Sequence, residues 1–437
     1  MSDTWCPIPW NFQAVRSNGD VRVCCQANIT KNKGVLRKDD GTSYNAGTDD
    51  LDEARNSSLI RHIRSLMMRG EWSEECLRCR TEEESGLVSR RSYEHERWPN
   101  FGIDDVRDWT SADGTIDTSR LPVVYYDLRF GNFCNLACRM CGPQDSTGWY
   151  EDWAKMENQD WFEDSHGIER MRVVNNRLVS DSYGWHDSEN FWRQIESNAH
   201  NIQHVYMAGG EPLLIERHYE FLERCVQIGA AGNMLIEYNT NMTTIPSRVM
   251  DLWQRFRQVQ IGASIDGMGR VFEYQRHPAN WEKVLRNMYK VDDGPDNIMS
   301  WLAYTVTAYN VLHMPQFMRW KLRESGFRKF NNTSRRPILT HHVAHKPHYL
   351  NIRVLPKDLK EEAVRRFDDL MDEILDVGYP EHVYDQARSI RDSVVNYMMA
   401  EDTHQKGWPA FVDYTTRLDR IRNQDIRDVV PEMRSYI

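Results

Sequence analysis

No apolar run in this chain approaches the roughly 18 residues that a membrane-spanning helix needs. The opening "MSDTWCPIPWNFQ" lacks a basic stretch followed by an apolar one, so no secretory leader is expected and the expected location is cytoplasmic. A basic excess is missing too. Against 55 Lys and Arg stand 65 Asp and Glu, a net charge of −10, which favours solubility and argues against a dominant nucleic-acid footprint. Internal repeats and low-complexity tracts are absent. Hydrophobic residues at 40% and charged residues at 27% fit a soluble globular chain. At 437 residues it has room for one large domain with accessories, or for two to three domains. Cysteine is scarce after residue 141: of nine, only Cys225 follows. The other eight lie at 6, 24, 25, 76, 79, 134, 138 and 141. In a reducing compartment such crowding points to metal or cluster ligation rather than disulfides. Cys225 reads as a core residue of its helix.

Along the chain, residues 1–98 carry five cysteines and a turn signal, "SNGD", at 17–20. The spacing of Leu59, Ile63, Leu66 and Met67 predicts a helix that stops at Gly70. Residues 99–120 are polar, aperiodic and rich in Asp and Gly, and read as a linker. From 121 onward strands and helices alternate. The expected strands are 123–130, 204–208, 235–240, 259–265, 301–307 and 350–355. Helices with apolar faces fall between several of them, one carrying Val249, Leu252, Trp253 and Phe256 after a possible cap at Ser247. Repeated strand–helix units predict an α/β fold with a parallel sheet, a barrel or part of one. Residues 143–203 are too long for one crossover and read as an insertion. After Pro356, with Asp358 as a possible cap, the stripe Leu359, Ala363, Phe367, Leu370, Met371 and Ile374 predicts a helical tail over 357–437.

"CNLACRMC" at 134–141 puts three thiols on one loop directly after the first expected parallel strand. A structural zinc takes four protein ligands. A 4Fe–4S cluster closed by three cysteines leaves one iron open for a small molecule. Loops at the C-terminal ends of parallel strands build active sites, so the position suits catalysis. Cys134-x3-Cys138-x2-Cys141 resembles the signature of radical S-adenosylmethionine (SAM) enzymes. "AGGEP" at 208–212 is similar to that family's GGEP motif, which makes Gly209, Gly210 and Glu211 candidate contacts to the methionyl part of SAM. "SIDG" at 264–267 adds Ser264 on the SAM side and Asp266 as a candidate catalytic base. Arg276, in "YQRHP", resembles the arginine that pairs with the SAM carboxylate, a bidentate task that suits a guanidinium. "NTNMT" at 239–243 resembles the family's Thr-Asn-Gly-Thr turn, with Met242 where glycine is usual and Asn239 at its start. Met140 stands where an aromatic residue often flanks the adenine.

The front cysteines are similar to the auxiliary-cluster modules called SPASM and twitch. The resemblance makes Cys6, Cys24, Cys76 and Cys79 the ligands of a second 4Fe–4S cluster, with no iron left open. Cys25 could replace Cys24, because neighbours on a strand face opposite ways. In better-known relatives this module follows the barrel, and here it precedes it. A four-cysteine zinc site is the competing reading.

The resemblance implies a partial (β/α)6 barrel over 121–356 with an N-terminal auxiliary module and a helical C-terminal extension. It implies a 4Fe–4S cluster that reductively cleaves SAM to a 5′-deoxyadenosyl radical, which takes a hydrogen atom from substrate. It also implies an electron donor of the flavodoxin or ferredoxin type. Relatives with such modules mostly modify peptides or proteins, so a peptide or protein substrate is expected. Modification of a nucleotide, cofactor or RNA is the alternative. A non-catalytic interaction protein with two zinc sites is a third reading. For His341, His342, Tyr304 and Tyr309 the packing reading outweighs the functional one.

Overall fold

A computed structural model of the chain describes residues 4–27, 34–156, 171–174, 177–180 and 183–437. The strands, in chain order, are β1 (Phe12–Val15), β2 (Val21–Arg22), β3 (Tyr125–Phe130), β4 (Met171–Val174), β5 (Arg177–Ser180), β6 (His204–Gly209), β7 (Leu235–Thr240), β8 (Gln258–Ser264), β9 (Ile298–Val306) and β10 (Thr340–Val343). The chain divides into two compact units. One holds Met1–Asn132, Asp181–Tyr238 and Arg255–Gln258, and the other Phe133–Ser180, Asn239–Gln254 and Val259–Ile437.

In the first unit the strand order is β2-β1-β3-β6-β7. All neighbours are parallel except the β1–β2 hairpin. β1, β3 and β6 are buried along almost their whole length although Asp127 and Arg129 put charges into β3, and β7 alternates buried and half-buried side chains. Phe130 is fully buried among Trp185, Trp192 and His218. The hairpin at 17–20 forms as the turn signal predicts, but the parallel pairing of Phe12–Val15 with Tyr125–Leu128 was not legible in so short a run. The helix Ser58–Met68 ends at Arg69 and Gly70, near the predicted stop. Its inward face is Ile60, Ile63, Arg64 and Met67, one residue round from the expected stripe. The shift brings in Arg64, which is fully buried and donates from Nε to the Pro9 carbonyl at 2.8 Å. Residues 99–120, expected as a linker, include a short helix, Ile103–Arg107.

In the second unit β8, β9 and β10 are parallel in that order, and β4 and β5 form a separate antiparallel hairpin. β9 alternates buried and half-buried side chains along its whole length. The last strand is not 350–355. That run forms two short 3-10 turns, His348–Leu350 and Ile352–Val354, and Thr340–Val343 is the strand. Asn351 decides the matter: its side chain donates to the Ala344 carbonyl at 2.9 Å and accepts from Arg353 N–H at 3.0 Å, which caps a turn instead of extending a ladder. The predicted tail is three helices, Lys357–Val377, Glu381–Met399 and His404–Arg422. Pro356 takes the cap position of the first, and Asp358 lies in its first turn. Likewise Pro246 caps the helix Ser247–Trp253, with Ser247 as its first residue. The expected insertion, 143–203, includes the helix Tyr150–Lys155 and the β4–β5 hairpin, and part of it lies outside the described residues. No described helix is long and apolar enough to cross a membrane.

Candidate functional site

The cysteine loop follows β3 and has no regular structure, so side chains and distant carbonyls hold it. The Cys134 amide donates to Thr147 Oγ1 at 3.3 Å, and the Cys141 amide to the Cys138 carbonyl at 2.9 Å. Trp149, fully buried, donates its ring N–H to the same Cys138 carbonyl at 2.9 Å. Cys138 is buried; Cys134, Cys141 and Met140 are half-buried.

Within the same unit, Arg276 lies against the thiols, with Nη1 3.9 Å from Cys138 Sγ. It follows the short helix Gly269–Gln275 and is 8% exposed. Its Nε stands 2.7 Å from Asp266 Oδ2, a charge contact whose N–H is turned off the line to the oxygen. Burial works against the charged guanidinium, but Asp266 and then Cys138 outweigh it and hold the pKa above its ordinary value. Asp266 is fully buried, and its Oδ1 accepts from Thr305 N–H at 2.7 Å. Gln275 and Asn310 donate to its carbonyl at 2.9 and 3.1 Å. Asp266 thus sits in a filled polar pocket with a cationic partner. Ser264 ends β8 half-buried. Asn239 fits closely against Gly262, where a Cβ would meet its Oδ1 at 2.4 Å, so a larger residue there would push the Asn239 side chain aside.

Met242 has φ +60°, the left-handed conformation that explains why glycine is usual there, and its side chain is fully buried. The turn it makes aims Asn241 at the loop: Nδ2 lies 3.7 Å from Cys134 Sγ and 3.0 Å from Asn135 Oδ1. Asn135 in turn donates to Thr243 Oγ1 at 2.9 Å. Asn241 and Thr243 are thus loop contacts that attention to Asn239 alone had missed; their place in the turn motif was the available signal.

In the first unit, Gly209 ends β6 with φ +120°, and a Cβ there would meet the Phe130 amide nitrogen at 2.5 Å. Gly210 N–H donates to the Gly131 carbonyl at 3.1 Å. Glu211 is 1% exposed and caps the turn Pro212–Leu214, accepting from Leu213 N–H at 3.2 Å.

The first unit also draws the front cysteines together. Cys6, Cys24, Cys76 and Cys79 line one pocket. Cys25 is not among its lining residues; its charged neighbours are Arg90, Asp127 and Arg129. Cys76 is the cap and Cys79 lies in the first turn of the helix Leu77–Glu84, where the helix dipole favours thiolates. Ile8, Val23, Ile63, Met67 and Trp72 give the pocket an apolar wall, and Arg78, Arg90 and Arg91 add positive charge. Burial, then the neighbouring Cys79, pushes the Cys76 thiol up to about 12. Burial likewise raises the pKa of Cys6. Four thiols facing cations across an apolar pocket are a donor set that suits an iron–sulfur cluster. None of the nine cysteines is in a disulfide. Among the described residues, no group of three or more Cys, His, Asp and Glu is arranged to hold a single metal ion.

Residues 128–294 match the family model described as the Radical SAM superfamily. No curated protein matches the chain. Among solved structures, SuiB of Streptococcus suis bound to S-adenosylmethionine is 11% identical, with a TM-score of 0.30; the match covers 78% of this chain and 65% of SuiB. TYW1 with a lysine-pyruvate adduct is 13% identical over 65% of this chain and 90% of that one, with a TM-score of 0.29. Likenesses this remote say nothing of substrate. The three-thiol loop after β3 and the GGEP turn both fall inside residues 128–294, the stretch that matches the Radical SAM superfamily.

Proposed function

We propose that the chain is a radical SAM enzyme in which Cys134, Cys138 and Cys141 hold a 4Fe–4S cluster with one open iron, and that its substrate is a peptide or protein. The observation that carries the reading is the thiol loop with Arg276 Nη1 3.9 Å from Cys138 Sγ. When bound, the cluster supplies the electron that splits SAM into methionine and a 5′-deoxyadenosyl radical, which then takes a hydrogen atom from the substrate. The chain's own residues bind and orient. Arg276 offsets the negative charge of the thiolates and offers its remaining N–H groups to a carboxylate. Asp266 is better suited to orient Arg276 than to move protons, because its oxygens already face that guanidinium and Thr305 N–H. Gly209, Gly210 and Glu211 supply a turn where a ligand can approach the backbone.

In this reading residues 1–98 are the auxiliary module, 121–356 the partial barrel, and 357–437 an extension. Cys6, Cys24, Cys76 and Cys79 hold a second, fully ligated 4Fe–4S cluster that relays electrons or supports structure. The choice of Cys24 over Cys25 is supported by the pocket lining. The peptide substrate rests on the likeness of this module to those of peptide-modifying relatives, and the excess of acidic residues weighs against RNA.

Anaerobic reconstitution followed by dithionite and SAM should release 5′-deoxyadenosine. Replacing Cys134, Cys138 and Cys141 together by alanine should abolish the release. A triple variant that still cleaves SAM defeats the assignment.

A further inference from the structure

Arg139 stands between the second and third thiols of the loop, yet it is fully buried and points away from solvent. Its guanidinium lies 3.6 Å from the Tyr274 ring centre. It donates to the Tyr274 carbonyl at 3.0 Å and to Gln424 Oε1 at 2.8 Å, and it pairs with Asp419. Asp419 belongs to the helix His404–Arg422, about 280 residues further along the chain. It is itself fixed: Tyr274 Oη donates to it at 2.9 Å, and Ile426 N–H at 2.9 Å.

The loop backbone is held at the same place from two sides. The end of the helix Gly269–Gln275 and the segment after it accept the Arg139 amide at the Gln275 carbonyl (2.7 Å) and the Ala137 amide at the His277 carbonyl (2.6 Å). The C-terminal helix supplies donors for the matching carbonyls. Tyr414 Oη donates to the Arg139 carbonyl at 3.0 Å, and Arg422 Nη2 to the Ala137 carbonyl at 2.7 Å. Arg422 has a 1% exposed side chain and pairs with Asp152 at 2.8 Å.

Filling this space with apolar side chains would cost less than desolvating two arginines and two aspartates. What the charged arrangement adds is direction, since each donor and acceptor accepts only a narrow geometry. Tyrosines crowd the same spot: Tyr274 meets Tyr309 edge-on at 5.5 Å, and Tyr349 meets Tyr414 at 4.7 Å.

We propose that the C-terminal helix His404–Arg422 is a clamp that sets the shape of the cysteine loop, with Arg139 as its pin and Asp419, Tyr414 and Arg422 as the groups that hold it. These are positioning residues: they act on Cys138 and Cys141 through the backbone between them. The proposal rests on the reading that the loop carries the SAM-binding cluster, and its test separates the two.

Asp419→Asn keeps the shape of the helix and removes the charge; Tyr414→Phe removes a single hydrogen bond. In the protein before cluster loading, hydrogen exchange at the amides of residues 137–141 should run at least tenfold faster in Asp419→Asn, and several-fold faster in Tyr414→Phe. Exchange along β9 should stay at the wild-type rate in both. After anaerobic loading, the electron paramagnetic resonance signal of the reduced cluster with SAM should broaden in both variants, a change that general weakening of the fold would not produce. Loop exchange that is unchanged in both variants, or that rises equally across the whole chain, overturns the clamp. A wild type that takes up no iron at the loop overturns the functional reading, while the exchange measurement still decides the clamp.

Discussion

Exchanging Arg276 for methionine breaks two relations at once, and the structure lets them be separated. Asp266 loses a cation 2.7 Å away and keeps only Thr305 N–H on its other oxygen. Both side chains are buried, Asp266 completely and Arg276 to within 8%. Leaving one member of a buried pair alone costs about 3–5 kcal/mol, so the variant should melt at a distinctly lower temperature. If Arg276 also holds the SAM carboxylate, loss of that charge-assisted contact removes about 1.5–3 kcal/mol of binding, or about a 10- to 150-fold drop in affinity. The double variant Arg276→Met/Asp266→Asn leaves no stranded charge. Its melting temperature should return most of the way to wild type, because a neutral pair in a buried site is often no worse than an ionic one. Its affinity for SAM should stay low. Thermal melting followed by circular dichroism reads the first quantity, and equilibrium dialysis of anaerobically loaded protein reads the second. A double variant that regains stability and binds SAM like the wild type refutes the SAM contact and leaves Arg276 as a structural cation. Arg276→Lys should recover part of the affinity, since an ammonium cannot offer a planar fork.

Three further outcomes are expected. Loaded wild-type protein should contain about eight irons and Cys76→Ala/Cys79→Ala about four, with basal SAM cleavage retained; about four irons plus one zinc in the wild type would defeat the second cluster. His313 accepts from Met268 N–H at 3.2 Å, and burial lowers its pKa to about 4. Its stabilising contribution is therefore full above the unfolded value of about 6.5 and is lost as the pH falls toward 4, so His313→Gln should flatten the acid side of the melting profile by about 2 kcal/mol, a figure discounted for partial exposure; identical profiles would count against this. Met242→Gly should lower the melting temperature although glycine suits the φ of +60°, because a strain relief of about 1 kcal/mol is smaller than the roughly 2–5 kcal/mol lost with a fully buried side chain; a rise would mean the side chain packs poorly.

What could be read from the sequence is local. The thiol loop is carried by eight consecutive residues, and a spacing of ligands does not depend on the rest of the fold. The GGEP turn and the Met242 turn have the same property, because backbone conformation is set within a few residues. Asp266 and Arg276 were both visible, but their pairing was not, and without it Asp266 read as a base. Thr340–Val343 went unnoticed as a strand because it is polar and only half-buried, while the apolar run 350–355 looked extended until Asn351 turned it. The bond from Asp419 to Arg139 joins positions that no periodicity connects.

The parallel pairing of Phe12–Val15 with Tyr125–Leu128 has a consequence for the order of assembly. Cys6, Cys24, Cys76 and Cys79 all precede the strand against which their hairpin is laid. As the chain leaves the ribosome, four thiols are made before the partner that fixes β1 exists, and a loop of about a hundred residues must close to join them. Until β3 arrives, the Cys6 segment is held only by contacts within the front of the chain, such as Arg64 to the Pro9 carbonyl and Arg91 to the Trp5 carbonyl. In the proposed auxiliary-cluster reading, a fragment that stops short of residue 130 lacks the strand that β1 pairs with, and it should load this pocket less completely than the full chain.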